Sequence, residues 1–143
     1  MMKERAMKIG QGSPSTLEHV LQWHGQFRRS LEPLRTTPLQ AGVLLFLLRH
    51  PAAMVTDAAD ALGVRVPTVS EVVNDLVRKR WVSKRRSVVD TRVVHLRLSQ
   101  RGEALTRQVE QRIHQVNITL AESVRNSLSV PLQHRTDMRL LVL

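Results

Sequence analysis

The feature that most restricts how this chain can fold is a change of apolar spacing near its centre. Within residues 66–79, apolar side chains recur on one face of a helix. Residues 81–85 and 93–98 follow, and in the second of these segments apolar and polar residues alternate, which is typical of a strand. Residues 86–92 join the two segments through a turn with polar ends. The pattern therefore predicts a helix followed by a β-hairpin.

Two further helices are predicted before this unit. Thr37 followed by Pro38 combines a hydroxyl cap with a proline at the first helical position, and residues 39–48 are apolar on nearly all sides. A short helix is predicted over residues 56–62, and Gly63 suits the turn that ends it. Helix, short helix, glycine turn, helix and hairpin is the order of a winged helix-turn-helix. We expect residues 37–102 to form such a DNA-binding domain.

The two ends of the chain carry further helical patterns. Ser15 and Glu18 match a capping box, and helical spacing then continues to about residue 36. Ser99 is the expected cap of a long helix whose apolar residues are spaced three or four apart, namely Leu105, Val109, Ile113, Val116, Leu120, Val124 and Leu128. Pro131 interrupts this pattern, and a last amphipathic helix is predicted over residues 131–141.

These outer helices carry more apolar surface than one small winged domain can cover. Symmetric pairing of two copies is the simplest way to bury that surface. We therefore expect residues 15–36 and 103–143 to be dimerisation helices, and the chain to form a homodimer. Residues 1–14 show no periodicity and are predicted to be a flexible lead-in.

The charge of the chain is concentrated in its centre. The whole sequence has 22 basic and 12 acidic side chains, a formal charge of +10 at pH 7. Residues 64–102 contain ten of the basic and three of the acidic side chains, a net charge of +7. Such a patch is typical of a surface that binds a polyanion, although a charged segment can also be an ordinary solvated face. Its place on the predicted recognition helix and hairpin favours nucleic acid.

Composition and spacing argue against several other classes of protein. The chain has no cysteine, which excludes disulfides, thiolate metal sites and thiol redox sensing. The six histidines form no His-x-x-x-His pair, so we expect no metal and no cofactor. The longest apolar run, residues 43–48, is too short to cross a bilayer, and we expect a cytoplasmic protein without a membrane partner. No nucleophile–base pattern is present, and we expect no enzymatic activity.

Four motifs in the central region resemble the MarR family of bacterial transcription regulators. They are Thr37-Pro38-Leu39-Gln40, Leu62-Gly63-Val64 with Pro67-Thr68-Val69-Ser70, Asp90-Thr91-Arg92, and Leu98-Ser99-Gln100-Arg101-Gly102. Each motif is weak alone, but their order and spacing agree, and the similarity extends over about residues 15–140. The resemblance implies a mainly α protein with a small β-hairpin wing, in which dimerisation helices flank the winged domain.

Three residues depart from the family pattern. Arg65 and Met54 stand where small capping residues are usual, and loss of such a cap costs about 1 kcal/mol per helix. Glu71 stands where arginine is common. A carboxylate at that position repels phosphate but can accept a hydrogen bond from cytosine N4. We expect these departures to change the preferred DNA sequence and not the fold.

The resemblance and the groove chemistry of DNA together select the candidate contact residues. In the family, the wing arginine enters the minor groove, which assigns this role to Arg92, and Asp90 is expected to orient its guanidinium by a charge-assisted bond. The other candidates are polar residues of the recognition helix and cations of the wing: Arg65, Thr68, Ser70, Glu71, Asn74, Lys84, Arg85 and Arg86. Each of them also has a simpler interpretation as ordinary protein surface or, for Arg92, as a surface ion pair.

The family resemblance implies a repressor that binds a pseudo-palindromic operator as a homodimer, often released by a small aromatic or phenolic ligand. Trp23, His24 and Phe27 are candidates to line a ligand pocket, but plain interface packing is the preferred interpretation of these three residues. Two alternatives remain open from the sequence. One is an architectural winged-helix protein that binds DNA with little sequence preference, and the other is a winged-helix module that binds protein.

Overall fold

The computed structural model describes residues 15–128. The predicted lead-in, 1–14, and the predicted last helix, 131–141, lie outside these residues. Five helices and one hairpin follow one another along the chain: α1 Thr16–Leu31, α2 Pro38–Arg49, α3 Val55–Leu62, α4 Val66–Arg78, β1 Val82–Arg86, β2 Val94–Leu98 and α5 Gln100–Leu128, with a short 3-10 turn at Glu32–Leu34 between α1 and α2. The predicted mainly helical fold with a β-hairpin is confirmed.

Two helices begin with the side-chain caps that the sequence predicts. At α1 the Ser15 N–H donates to a Glu18 carboxylate oxygen at 2.5 Å, and the Glu18 N–H donates to the Ser15 hydroxyl at 3.3 Å. Hydrogen bonding of the Glu18 carboxyl by the Ser15 main-chain N–H, and next by the Ser15 hydroxyl, lowers the pKa of that carboxyl. At α2, Thr37 and Gln40 exchange the same pair of bonds, each 3.2 Å long. Both capping boxes satisfy N–H groups that a helix start leaves without partners.

Helices α2, α3 and α4 enclose the main core of the winged domain. Val43 and Leu44 on α2 and Val69, Val73 and Leu76 on α4 are fully buried. Valine is a poor helix former because its branched side chain is stiff. Packing of these valines against α2 therefore stabilises α4, which fixes its polar face toward the outside of the domain.

The hairpin is held against the domain on both of its sides. Its strands are antiparallel, with Val82 opposite Leu98 and Arg86 opposite Val94. The Leu96 side chain is fully buried, and the Leu96 N–H donates to the Ala53 carbonyl at 2.8 Å, so the segment between α2 and α3 continues the pairing of β2. A buried side chain and a main-chain hydrogen bond thus attach the wing to the core.

The junction between the hairpin and α5 explains the Leu-Ser-x-x-Gly motif in packing terms. The Ser99 hydroxyl donates to the Arg80 carbonyl at 2.7 Å and accepts from the Gly102 N–H at 3.0 Å, which confirms Ser99 as the cap of α5. Gly102 lies directly against the Trp81 main-chain carbonyl, and a Cβ at this position would overlap that oxygen. Glycine is required because two backbone segments meet here.

The long helices form a second, smaller core. Leu31 of α1, Ala41 of α2 and Val109 of α5 are buried together. The predicted apolar face of α5 is buried only in part, because Val109 and Val116 are covered while Val124 is 44% exposed. Several large apolar side chains of α1 and α5 face solvent in the single chain, namely Leu17, Val20, Leu21, Ile118 and Val124.

Element boundaries differ slightly from those predicted. Helix α1 ends at Leu31 and not near residue 36, since Pro33 lies in a 3-10 turn and Arg35 adopts a left-handed φ of 53°. The strand β1 begins at Val82, one residue later than predicted, because the left-handed φ of 62° at Arg80 first reverses the chain. Neither shift changes which residues face outward.

Candidate nucleic-acid interface

The outward face of α4 carries most of the predicted recognition residues. Thr68, Glu71 and Asn74 are exposed, three residues apart along the helix, and Ser70 is half-buried beside them. This spacing places the three exposed side chains on neighbouring turns of the same face. Glu71 lies near the middle of that face, as the sequence predicts.

The start of α4 lacks the cap that most helices have. Arg65 is the N-cap residue, and its side chain makes no capping bond. The residue is exposed, so its guanidinium remains at the surface beside the helix start. The positive end of the helix dipole and a cation therefore occur together at the edge of the recognition face.

Helix α3 also begins without a capping side chain, because Met54 precedes it, but another hydrogen bond replaces part of the cap. Met54 cannot cap with its side chain, but the Asp57 carboxylate accepts a hydrogen bond from the Met54 N–H at 2.8 Å. Half of a capping box is thus retained. Gly63 then ends α3 with a left-handed φ of 63°, which is the predicted glycine turn.

The first wing strand presents three consecutive cations, Lys84, Arg85 and Arg86, all of them exposed. Because successive residues of a strand point to opposite faces, Lys84 and Arg86 share one face and Arg85 lies on the other. The Lys84 ammonium donates to the Asn74 side-chain oxygen at 2.6 Å. The strand is thereby joined directly to the recognition face of α4.

The wing tip is ordered by its own hydrogen bonds. The Ser87 hydroxyl accepts from the N–H groups of Val89 and Asp90 at 3.2 and 3.3 Å. The Arg86 guanidinium donates to the Thr91 carbonyl at 3.3 Å, and the Val93 N–H donates to the Asp90 carbonyl at 3.0 Å. A tip with fixed main chain presents its side chains at a lower entropic cost on binding.

The predicted pairing of Asp90 with the Arg92 guanidinium is wrong. The Asp90 carboxylate instead accepts from the Arg92 main-chain N–H at 3.0 Å. A short aspartate side chain reaches the N–H two residues ahead more easily than it reaches the end of a long arginine, which is the geometry of an Asx turn. Asp90 therefore shapes the turn, and the exposed Arg92 side chain extends from it.

Sequence reasoning did not single out the two valines at the wing tip. Val88 and Val89 are 99% and 98% exposed, so they contribute almost nothing to the core. Their position inside a turn of polar residues is the only signal in the sequence, because valine is otherwise typical of buried strands. The tip thus combines an arginine with two exposed apolar side chains.

The cations at the end of α4 have partners within the protein. Arg78 forms an ion pair with Asp75 on the same helix. The Lys79 ammonium donates to the Arg35 carbonyl at 3.1 Å and lies 4.8 Å from the centre of the Trp81 ring. Lys79 therefore ties α4 to the turn after α1.

A cavity of about 250 Å³ lies between the winged domain and the long helices. Its lining is mostly apolar and comes from α1, α2 and α5: Phe27, Leu31, Pro38, Ala41, Gly42, Leu45, Ile113 and Asn117. Of the three residues considered for a ligand pocket, Phe27 lines this cavity. Trp23 stacks on His19 instead, with 6.0 Å between ring centres, and His24 is exposed.

Two properties of residues 15–128 bear on other classes of function. None of the helices in this range is long and apolar enough to span a membrane. Within the same range, three or more histidine, aspartate or glutamate side chains do not come together in a group that suits a metal ion.

The fold and these surfaces define the class of the protein, which is a winged helix-turn-helix protein with additional long helices. The MarR family model matches residues 36–93. The chain matches no curated protein sequence.

Solved structures share the fold at low sequence identity. S. aureus MepR in its complex with DNA superposes with a TM-score of 0.72 at 21% identity, over 92% of this chain and 95% of that chain. MarR from E. coli without ligand gives a TM-score of 0.67 at 19% identity, over 92% and 96% of the two chains. A mutant of the same E. coli protein, complexed with operator DNA, gives 0.67 at 20% identity, over 85% and 84%.

The family match and the shared fold confirm the resemblance that the four motifs indicated. Residues 36–93 of this chain match the MarR family model, and the solved MarR-family structures share its winged helix-turn-helix fold.

Proposed function

We propose that the chain is a sequence-specific repressor that binds a pseudo-palindromic operator in double-stranded DNA as a homodimer. One observation carries the proposal. The hydrogen bond between Lys84 and Asn74 joins two exposed surfaces, the polar face of α4 and the cationic strand β1. A helix that fits the major groove is thereby continuous with cations that suit phosphates.

The roles proposed for individual residues follow from their chemistry and place. Thr68, Ser70, Glu71 and Asn74 contact base edges or nearby phosphates from α4, with Arg65 on a phosphate at its start. Lys84, Arg85 and Arg86 neutralise phosphates. Arg92 enters the adjacent minor groove, where a narrow groove concentrates negative potential, and Asp90 holds the turn that aims it.

The homodimer is supported by the apolar side chains that the single chain leaves exposed. Leu17 and Leu21 on α1 are 67% and 61% exposed, and Ile118 and Val124 on α5 are also uncovered. Large apolar side chains exposed on two long helices are typical of a surface that a second copy covers. Two-fold pairing would set two recognition helices on successive turns of DNA.

We also propose that a small aromatic ligand releases the protein from its operator. The apolar cavity beside Phe27 lies between the long helices and α2, so an aromatic ligand there would change the angle between dimerisation helices and winged domains. We expect phenol, used as a probe, to weaken operator binding in the wild type. In Leu45→Trp, where the larger side chain fills the cavity, phenol should have no effect; an unchanged operator affinity of the wild type at saturating phenol contradicts release by phenolic ligands.

The central test is selection of random duplex DNA by the purified protein, followed by sequencing. The proposal predicts one enriched motif with two inverted half-sites about one helical turn apart. Enrichment without a motif would favour the architectural alternative, and failure to bind any duplex would favour the protein-binding alternative.

A further inference from the structure

The side chain of Asn74 is held in one orientation before DNA arrives. Asn74 lies on the exposed face of α4, and its side-chain oxygen accepts a hydrogen bond from the Lys84 ammonium at 2.6 Å. The two residues are ten positions apart and meet because the left-handed turn at Arg80 brings β1 back alongside α4. The bond is charge-assisted, which makes it stronger than one between neutral groups.

The chemistry of the pair fixes which end of the amide faces outward. An ammonium group has only donors, so the Asn74 atom that faces Lys84 must be the oxygen and not the nitrogen. The amide nitrogen, which carries two donors, therefore points away from Lys84. Asn74 presents donors to whatever lies in front of α4.

This orientation conflicts with the usual pairing of asparagine and adenine. Adenine offers an acceptor at N7 and a donor at N6, so asparagine must use both its nitrogen and its oxygen in the plane of the base. The Lys84 ammonium takes one of the two lone pairs of the Asn74 oxygen and places its positive charge beside the other, which disfavours approach of the adenine N6–H donor. An asparagine that offers mainly its amide N–H donors instead suits guanine, which has acceptors at N7 and O6, or thymine, which has an acceptor at O4.

We propose that Lys84 is a specificity-determining residue, which holds Asn74 as a hydrogen-bond donor so that the recognition helix selects guanine or thymine over adenine. The inference rests on the proposed function and adds the base class read by one residue. Lys84 itself contacts Asn74 and a phosphate, and does not need to touch a base. Exclusion of water at the interface strengthens the pair, since a charge-assisted bond gains in a medium of lower dielectric.

The experiment compares binding-site selections for the wild type and a set of matched variants. Asn74→Ala first identifies the base pair that Asn74 reads, which is the position where its enriched motif loses preference. Lys84→Met then removes the donor with little change of side-chain length. Arg85→Met is the control, because it removes one cation from the next residue of the same strand, on the face that does not bear Lys84.

The expected result is a change of base preference in one variant only. The wild type and Arg85→Met select guanine or thymine at the Asn74 position, and Arg85→Met binds more weakly with a smaller salt dependence. Lys84→Met also binds more weakly, and its preference at that position moves toward adenine by about tenfold. When Asn74 is already alanine, adding Lys84→Met should lower DNA affinity further but leave the base preference of the Asn74→Ala variant unchanged.

Three results overturn the inference. The wild type selects adenine at the Asn74 position, Asn74→Ala leaves the motif intact, or Lys84→Met and Arg85→Met give the same motif as the wild type. Each of them leaves the proposed function standing, because the protein still selects a motif. Loss of any motif in the wild type overturns the proposed function together with the inference. Circular dichroism spectra that match the wild type show that the variants are folded.

Discussion

The winged domain and the long helices that flank it differ in how far the single chain buries their apolar side chains. In the winged domain, α2 and α4 contribute seven buried apolar side chains to one core within the same chain. In α1 and α5 the buried cluster is small, and Leu17, Leu21 and Val124 remain exposed. The first region buries its core within one chain, whereas the second leaves apolar side chains uncovered, which is the surface that the proposed homodimer would bury.

Net charge also differs between the centre of the winged domain and the rest of the chain. The segment of residues 64–102, inside the winged domain, carries a net charge of +7, while the rest of the chain supplies the remaining +3. A region with its own core can expose many like charges, since its folding does not depend on bringing two copies together. A region that pairs with a second copy is better served by low net charge, because like charges would oppose association.

The largest effect is expected at Gly102, where the winged domain meets α5. In Gly102→Ala the new Cβ overlaps the Trp81 carbonyl, so the backbone must shift, and we expect the free energy of unfolding to fall by about 3 kcal/mol. Chemical denaturation measures it. The matched change Gly25→Ala in α1 meets only the flexible end of Arg29 at 3.7 Å and should stabilise the helix slightly. Equal effects at both glycines would contradict the assigned backbone contact.

The next largest effect concerns the exposed leucines of α1. Leu17→Asp combined with Leu21→Asp places two charges on the surface that we assign to the dimer, so light scattering at micromolar concentration should report a monomer. Operator affinity should fall more than about a hundredfold, because two half-sites are then bound separately. The control is Gln22→Asp, an exposed polar position of the same helix. A double variant that stays dimeric would refute this interface.

A smaller effect is expected at the wing tip. Arg92→Ala should weaken operator binding by about 2 kcal/mol in a mobility-shift titration, while circular dichroism and the dimer stay unchanged. Arg97→Ala is the matched control, since Arg97 is an exposed cation on β2 near the base of the hairpin. If the two variants lose the same affinity, the wing tip acts only through its charge and does not enter the groove.

The smallest effect is expected at Arg65, where one substitution should change stability and DNA affinity in opposite directions. Arg65→Asp supplies the cap that α4 lacks and should raise the free energy of unfolding by about 1 kcal/mol. The same change removes a proposed phosphate contact, so DNA affinity should fall and the salt dependence should decrease. Thermal unfolding and anisotropy titrations measure the two quantities. Increased stability with unchanged DNA binding would remove Arg65 from the interface.

The features predicted correctly from sequence are those that depend on near neighbours in the chain. The capping boxes at Ser15 and Thr37 and the turn at Gly63 each involve residues within a few positions, so their patterns are visible in the sequence. The hairpin followed equally from local alternation. These signals sufficed for the fold and for the outward face of α4.

The features that the sequence did not predict depend on which of two donors bonds a given acceptor, or on contacts between residues far apart in the chain. The Asp90 carboxylate could pair with either the guanidinium or the main-chain N–H of Arg92. The sequence alone did not show that the main-chain N–H would be the partner. The Lys84–Asn74 bond joins residues ten positions apart through the turn at Arg80, whose positive φ is not evident for an arginine. The approach of Trp81 to Gly102 likewise appears only when two backbone segments are packed together.

The central property proposed for this chain is that its cationic centre binds DNA with sequence preference. The decisive measurement is the affinity of the wild type for its selected duplex and for a scrambled duplex of equal length, by fluorescence anisotropy across a salt series. With Lys84, Arg85 and Arg86 from both protomers on phosphates, affinity for both duplexes should fall about a thousandfold between roughly 50 and 200 mM salt. The selected duplex should stay at least about a thousandfold tighter at each salt concentration. Equal affinity for both duplexes, or affinity that does not change with salt, would contradict the account.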